Sequence, residues 1–593
     1  MIKLKILIAA FAGFQIAPVL AQTFGFEQIS NQIGIDRRGA FFGVAVGDYD
    51  LDGDDDLYFS NQQASNILYE NLGNGFFEDV TEIAGVKTSS QGFSAVWGDI
   101  DNDGDPDLFA AIWQNGNRLF LNNGNKTFQN ITAQAGLSLK ASSVHAVMAD
   151  VNSDSYLDIY IAINDEGNKL YKNNGDGTFA DFTVESGAVY HGRAMGAGFF
   201  DYDKDNDFDL YLVHDFGQAN HLYQNDGVGH FVNVAAAAGV NRAGDGMGVD
   251  FGDYNNDGWL DMYITQMNGN LMYQNNGDGT FSDVTMFAGV VGGGMSWGVN
   301  SLDCDNDGWL DIFVANQSEF WQFLPNIYPN MLFRNNGDGT FSEVGEQAGA
   351  ATTFNSFGSA TLDYDNNGWV DIAVANHAAT PAENEFLKNI GKENRWLSLR
   401  LEGTLSNRSA VGARVEAFAG DWLRVDEVRA GSGYNSQNSL TLKFGLGQHE
   451  QIDSLLIFWP SGIKEKYFAI PSNRSIKILE TQGIVADIDL PDGSPTQSMP
   501  ENYALLQNYP NPFNPATIIP FQLPDESWIN LSIYNVRGDR VLELLNQRIP
   551  AGRHQISWQG VDRFGKPVPA GLYFSRLIIA GKKTFARKML VLK

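Results

Sequence analysis

Seven nonapeptides that open and close on aspartate recur through the first two thirds of the chain. They read DYDLDGDDD from Asp48, DIDNDGDPD from Asp99, DVNSDSYLD from Asp150, DYDKDNDFD from Asp201, DYNNDGWLD from Asp253, DCDNDGWLD from Asp303 and DYDNNGWVD from Asp363. Their first aspartates lie 51, 51, 51, 52, 50 and 60 residues apart, so the last interval carries an insertion of ten. A unit of that length cannot bury an apolar face alone, and neighbouring copies must stack to share one core.

Within each nonapeptide the odd positions carry the chemistry. They are Asp48, Asp50, Asp52, Asp54 and Asp56 in loop 1, and Asp99, Asp101, Asp103, Asp105 and Asp107 in loop 2. Loop 3 has Asp150, Asn152, Asp154, Tyr156 and Asp158; loop 4 has Asp201, Asp203, Asp205, Asp207 and Asp209. Loop 5 has Asp253, Asn255, Asp257, Trp259 and Asp261. Loop 6 has Asp303, Asp305, Asp307, Trp309 and Asp311, and loop 7 has Asp363, Asp365, Asn367, Trp369 and Asp371.

Side-chain oxygens at positions 1, 3, 5 and 9, with a backbone carbonyl at 7 and a turn glycine usually at 6, make a cage for a hard cation. Calcium suits it, giving up to seven sites. A helical EF-hand loop would need a bidentate Glu at position 12, where this chain has Phe59, Ala110, Ile161, Leu212, Ile264, Val314 and Val374. That reading fails. Ser155 and Asn206 replace the glycine, and Asn152, Asn255 and Asn367 replace carboxylates, so these copies are expected to bind more weakly. Loops 1 and 2 are the most acidic and the strongest candidates.

Each nonapeptide runs into a β-branched and aromatic stretch such as Ile159-Tyr-Ile-Ala. A second block, such as Met272-Tyr-Gln-Asn-Asn-Gly-Asp-Gly-Thr-Phe, reads as a hairpin. Four short strands per 51 residues is the pattern of a propeller blade, so an all-β, seven-bladed propeller is expected over residues 24–390. Small residues in the first strand of each repeat, as in Gly43-Val-Ala-Val-Gly47, fit a crowded innermost position. Residues 24–30 match only a fourth strand, so the two ends of the array are expected to complete one blade together and leave no free edge. In its repeats and loops the chain resembles the FG-GAP/VCBS repeat proteins, including the calcium-binding blades of integrin α-subunits. The resemblance implies metals that brace hairpin loops and take no part in catalysis.

The chain has 39 basic and 71 acidic residues, a formal charge of -32. That argues against nucleic acid and anionic membrane as partners. The single cysteine, Cys304, excludes an internal disulfide framework and is expected to be a buried apolar side chain. Lys3 and Lys5, an apolar run to Leu20 and small residues before Gln22 fit a signal peptide over residues 1–21. No later stretch is long and apolar enough for a spanning helix.

The period stops near Asn394. The segment 394–480 contains Asn407-Arg408, Gly431-Ser-Gly-Tyr-Asn-Ser-Gln437, Phe444-Gly-Leu-Gly447 and Trp459-Pro-Ser-Gly462, and resembles the ASPIC/UnbV domain, also found in the cartilage acidic protein family. Pro491, Gly493, Pro495 and Pro500 mark a linker over 481–501. In residues 502–593, Asn508-Tyr-Pro-Asn-Pro-Phe-Asn-Pro515, Pro569-Ala-Gly-Leu-Tyr-Phe574 and the terminal Arg587–Lys593 resemble a type IX secretion C-terminal sorting domain of the small, immunoglobulin-like β-sandwich kind. The resemblance implies the type IX machinery as a partner and a secreted or outer-membrane-surface location. A generic immunoglobulin-like module is the alternative.

No nucleophile with its base is visible, and the eight histidines are scattered. Partner binding is expected on the propeller face away from the metal loops. There the blade connections carry Arg37, Arg38, Lys87, Lys140, Arg193 and Arg242, and the insertion of repeat 6 carries Phe320, Trp321, Phe323 and Tyr328. Aromatic rings beside cations suit an acidic glycan or a protein surface. Two readings stay open: a non-catalytic binding or adhesion module for extracellular glycan or protein, and an exported carbohydrate-active enzyme, a polysaccharide lyase or hydrolase, using that same face.

Overall fold

The computed structural model describes residues 24–488, except 36, 90, 165–166, 268, 319–326 and 378–381, and most of 503–592. The expected signal peptide and most of the expected linker lie outside the described residues. The chain divides into two units, 1–491 and 492–593.

Each acidic nonapeptide joins two antiparallel strands. In repeat 1, Phe41–Gly47 pairs with Asp56–Asn61, with Gly47 opposite Asp56 and Phe41 opposite Asn61. The loop therefore sits at one end of the strands and the next connection at the other. Ile67–Asn71 and Phe77–Asp79 complete the sheet. Seven such four-stranded sheets occur among the described residues. In six of them the strands follow one another in sequence. The seventh pairs Phe26–Gln28 with Glu385–Asn389, next to Asp371–Asn376 and Ser356–Leu362, which is the shared closure expected from residues 24–30. The first strands touch in order around a circuit that returns from Ser356–Leu362 to Phe41–Gly47. This is the architecture of a β-propeller.

The seven asparagines that end the third strands, Asn71, Asn122, Asn173, Asn225, Asn275, Asn335 and Asn389, hold adjacent sheets together. Each backbone N–H donates to the position-9 aspartate of its own loop at 2.7–2.9 Å. Each side-chain Nδ2 donates to the position-2 carbonyl of the neighbouring repeat at 2.8–2.9 Å, as from Asn275 to Tyr202 and from Asn389 to Cys304. The signal was in the sequence: aromatic-x-Asn recurs in nearly every repeat. It had been read only as part of a hairpin turn.

Residues 395–488 form two more four-stranded sheets. One contains Arg395–Glu402, Leu442–Gly447, Arg474–Leu479 and Gly483–Ile488; the other is antiparallel and contains Arg414–Ala419, Trp422–Glu427, Gln451–Phe458 and Lys464–Pro471. The linker expected from 481 starts later, because Gly483–Ile488 is a strand paired with Arg474–Leu479. Ile484 packs against the core there, and this apolar content was outweighed by the prolines further on. The 492–593 unit has a three-stranded and a four-stranded antiparallel sheet around Leu505, Phe521, Ile533, Trp558 and Leu577.

Removing one clasp leaves buried carbonyls of Tyr202 and Leu260 and the Gly277 N–H without their partner. Asn275→Ala is expected to lower stability by about 2–4 kcal/mol in urea unfolding. Asn276→Ala, which loses exposed bonds to Thr280 and Ser282, should cost under about 1 kcal/mol.

Candidate metal-binding loops and the surface that covers them

Within each loop the backbone folds around its own carboxylates. One oxygen of the position-1 aspartate accepts the position-6 N–H at 2.7–3.2 Å. The position-5 side chain accepts the position-7 N–H, as Asp103 does from Asp105 at 2.9 Å. Position 9 accepts the position-2 N–H at 2.9–3.3 Å. Position 6 takes a left-handed backbone. The glycines there have φ of 85–104°, and Ser155 and Asn206 are forced to 70° and 75°. Cys304, at position 2 of loop 6, is buried.

In five loops, carboxylate oxygens from positions 1, 3 and 9 lie within 4.8 Å of one another: Asp48, Asp50 and Asp56; Asp99, Asp101 and Asp107; Asp201, Asp203 and Asp209; Asp303, Asp305 and Asp311; Asp363, Asp365 and Asp371. Each could hold a metal ion. Loops 3 and 5, with Asn152 and Asn255 at position 3, form no such carboxylate trio. Several oxygens are left for an ion, since the Oδ1 atoms of Asp48, Asp99, Asp203 and Asp365 are buried without a hydrogen-bond partner. All-oxygen donors with orphaned lone pairs fit a hard divalent cation. The position-12 residues, including Phe59 and Ile161, are fully buried on strands, consistent with the absence of an EF-hand.

Burial raises many of these carboxyls. Desolvation pushes Asp99 and Asp253 up to about 7 and Asp150 to about 6. It holds the position-9 residues Asp56, Asp107, Asp158, Asp209, Asp261 and Asp371 well above the carboxylate range.

Sequence reasoning had not placed the 395–488 segment. It covers the loop face of the propeller. Arg400 pairs with Asp48, Arg414 approaches Asp201 at 3.7 Å, Arg424 approaches Asp303 at 3.4 Å, and Lys443 lies 2.7 Å from Asp363. Ser409 Oγ accepts the Asp99 N–H at 3.0 Å, and the Trp422 indole donates to the Gly308 carbonyl at 2.9 Å. A cleft of about 480 Å³ remains between this unit and loops 1 and 2, lined by Asp52, Asp99, Asp103, Arg400 and Arg408 among others.

Residues 430–438 descend into the centre of the ring. Met148 N–H donates to the Ala430 carbonyl, Val249 and Gly433 exchange bonds at 3.2 and 3.0 Å, and Val46 N–H donates to Gln437. Gln437 Oε1 accepts the Trp97 N–H at 2.7 Å, and Asn438 Oδ1 accepts from Thr361 and Asn300. This explains the small residues of the first strands. A Cβ on Gly43 would lie 1.9 Å from the Asn435 carbonyl oxygen, and one on Gly358 would lie 2.4 Å from Ser436 Oγ. Tyr434, 1% exposed, meets Phe42, Phe93, Met195, Met247, Trp297 and Phe357 beyond the plug.

Those residues expected to bind a partner that are described fall at the end of the strands away from the loops. Most are paired within their own neighbourhood. Arg37 pairs with Asp79, Arg38 with Glu383, Lys87 with Glu82, and Arg242 with Asp283. Arg193 lies 4.0 Å over the Phe216 ring, which is exposed. Lys140 lies beside Gly116, and Tyr328 packs on Gly293 and Gly294. Arg37 and Lys87 share a pocket of about 210 Å³ with Asp79 and Glu82. Phe320, Trp321 and Phe323 lie outside the described residues. The histidines cluster more than their spacing indicated: His214 and His221 lie 4.9 Å apart, both against Tyr190.

The repeated sheets and their oxygen-lined loops define a β-propeller with candidate metal sites in its repeats. The chain belongs to the FG-GAP-like repeat family, whose model matches six overlapping segments, 48–110, 103–161, 150–212, 201–264, 253–314 and 303–374. An ASPIC and UnbV model matches residues 403–485. Cartilage acidic protein 1 of Xenopus tropicalis is 26% identical over 208 residues, 33% of this chain and 32% of that protein. The Mus musculus protein is 27% identical over 208 residues, with the same shares. The chain thus matches about a third of the length of these relatives. Among solved structures, an Agrocybe aegerita lectin that recognises non-reducing terminal N-acetylglucosamine is 20% identical, with a TM-score of 0.35 over 53% of this chain and 84% of that one. The extracellular domain of a putative hybrid two-component system from B. thetaiotaomicron is 10% identical, with a TM-score of 0.40 over 96% and 57%. At these scores neither structure bears on function. Among the described residues no helix is long and apolar enough to cross a membrane.

The raised carboxyls fix the sign of a pH effect. Folding tightens their hold on protons, so without metal their stabilising contribution is full below about pH 4 and is lost as the pH rises through the folded values near 6 and 7. A divalent ion replaces those protons. With chelator the melting temperature should fall between pH 5 and pH 8, and the gain from millimolar calcium should grow over the same range. Equal gains at the two pH values would contradict this assignment.

Proposed function

We propose that the chain is a secreted or surface-held, calcium-braced, seven-bladed propeller that acts as a non-catalytic binding or adhesion module for an extracellular glycan or protein. The carrying observation is the covering of the loop face. With residues 395–488 over the loops and residues 430–438 filling the channel, the opposite face is the one left to meet a partner. The exposed Phe216 under Arg193 and the pocket shared by Arg37 and Lys87 supply an aromatic and charged surface there. In this reading the acidic loops have a mechanical role, holding hairpins and sheets together.

The repeat family and the cartilage acidic protein relatives support an extracellular setting. Residues 1–21 act as a signal peptide, and residues 502–593, an immunoglobulin-like sandwich, act as the type IX sorting domain. The filled channel disfavours a deep catalytic pocket along the propeller axis, which the rival reading as a lyase or hydrolase would use.

The test is a glycan and surface-protein array probed with the full chain, with millimolar calcium and again with chelator, and with released sugars assayed in the same wells. Calcium-dependent retention without product is expected. Arg193→Ala should weaken retention about tenfold, equivalent to about 1.4 kcal/mol. Release of sugar fragments would replace the binding module with the enzyme.

A further inference from the structure

One structural slot differs between repeats in a way that decides how each loop is neutralised. The residue just before the clasp asparagine lies beside its own loop. Its occupants are Glu70, Leu121, Lys172, Gln224, Gln274, Arg334 and Lys388 in repeats 1–7. In repeats 4, 6 and 7 it reaches the position-3 aspartate, whereas in repeat 3 Lys172 lies 3.5 Å from Asp154 at position 5. Gln224 Nε2 donates to Asp203 Oδ2 at 2.7 Å, Arg334 Nε to Asp305 Oδ2 at 2.7 Å, and Lys388 Nζ to Asp365 Oδ2 at 2.7 Å. Arg334 also bonds Asp307 at 2.8 Å.

The covering unit sets a further cation at position 1 of these two loops, Arg424 on Asp303 and Lys443 on Asp363, as it does with Arg400 on Asp48 in loop 1, while Arg414 only approaches Asp201 of loop 4, at 3.7 Å. Loop 6 therefore carries two arginines on its four carboxylates, and loop 7 carries two lysines on three. Loop 2 is the opposite case. It holds five aspartates, its slot residue is Leu121, and no salt bridge to them is found among the described residues. Its Asp99 is 2% exposed, with Oδ1 unpartnered. In loop 4 the slot is a neutral glutamine. In loop 1 the slot is an acid, but Lys126 from the next repeat pairs with Asp50 as well as Glu70 and Arg400 pairs with Asp48, so this loop also carries two cations.

We propose that Arg334 and Lys388 stand in for the divalent ion in loops 6 and 7, as Lys126 with Arg400 does in loop 1, and that tight divalent binding is confined to loops 2 and 4. This rests on the reading that the acidic loops take calcium. A guanidinium or ammonium bonded to a ligand carboxylate must be displaced before a divalent ion can use that oxygen, and like charges so close repel strongly in a half-buried site. Loops 3 and 5 lack the position-3 carboxylate. The seventh sheet, which closes the ring with Phe26–Gln28, then keeps its bracing when calcium is withdrawn.

Equilibrium dialysis of the full chain against radioactive calcium at about 0.1 mM free ion counts the sites. Two ions are expected per chain, one for Asp101→Asn and two for Asp305→Asn. The double variant Arg334→Gln, Lys388→Gln should bind four, a gain that misfolding cannot produce. Four or more ions on the unaltered chain, loss of one in Asp305→Asn, or no gain in the double variant would each overturn the proposal. Complete absence of bound calcium would overturn the calcium reading itself and is distinguishable from those results.

Discussion

A buried aspartate, answered by an asparagine that reaches into the next repeat, is the contact on which the ring depends. The position-9 carboxylate takes two backbone N–H bonds, one from its own loop and one from the third strand. The asparagine that supplies the second bond spends its side chain on the neighbouring repeat. Those bonds offset part of the cost of burying the group, although desolvation still holds its carboxyl well above the usual range. The same residue ends the nonapeptide and lies within reach of the candidate metal position. Loop conformation, sheet-to-sheet contact and the candidate metal position are thus bound into one element, repeated around the circuit.

The covering unit answers the electrostatic problem that this arrangement creates. Seven acidic loops at one end of a ring repel one another. Arg400, Arg414, Arg424 and Lys443 bring positive charge to four position-1 aspartates in places shielded from water, where an unpaired ion would be costly. Position 1 is well suited to this double duty. In loop 1, Oδ2 of Asp48 takes the Gly53 N–H and the Arg400 guanidinium, leaving Oδ1 free.

The repeat, its strands, the shared closing sheet and the loop ligands were legible because each is local and recurs at fixed spacing. The contrast between loops with and without a position-3 carboxylate was legible too, from Asn152 and Asn255. The cover was not. Arg414 and Asp201 are more than two hundred residues apart, and a lone arginine in a strand reads the same whether it faces solvent or a partner. Glycines such as Gly43 gave half of the answer, since they announced crowding without revealing that the crowding atom was the Asn435 carbonyl. The basic residues of the far face were placed at the expected end, but their pairing with Asp79, Glu82 and Asp283 depends on neighbouring strands that a linear reading does not bring together.

The plug has a consequence for how the chain can change. Residues 430–438 follow every repeat in the chain, so the axis of the ring is filled by a segment that belongs to none of the repeats. Gly43, Gly248 and Gly358 line that axis against residues 433–436. Although they belong to the propeller by sequence, the substitutions they tolerate are set by a segment as much as four hundred residues away. Sequence drift in the repeats and in the plug is therefore coupled, and a propeller transplanted without its own plug would inherit a channel shaped for a missing part.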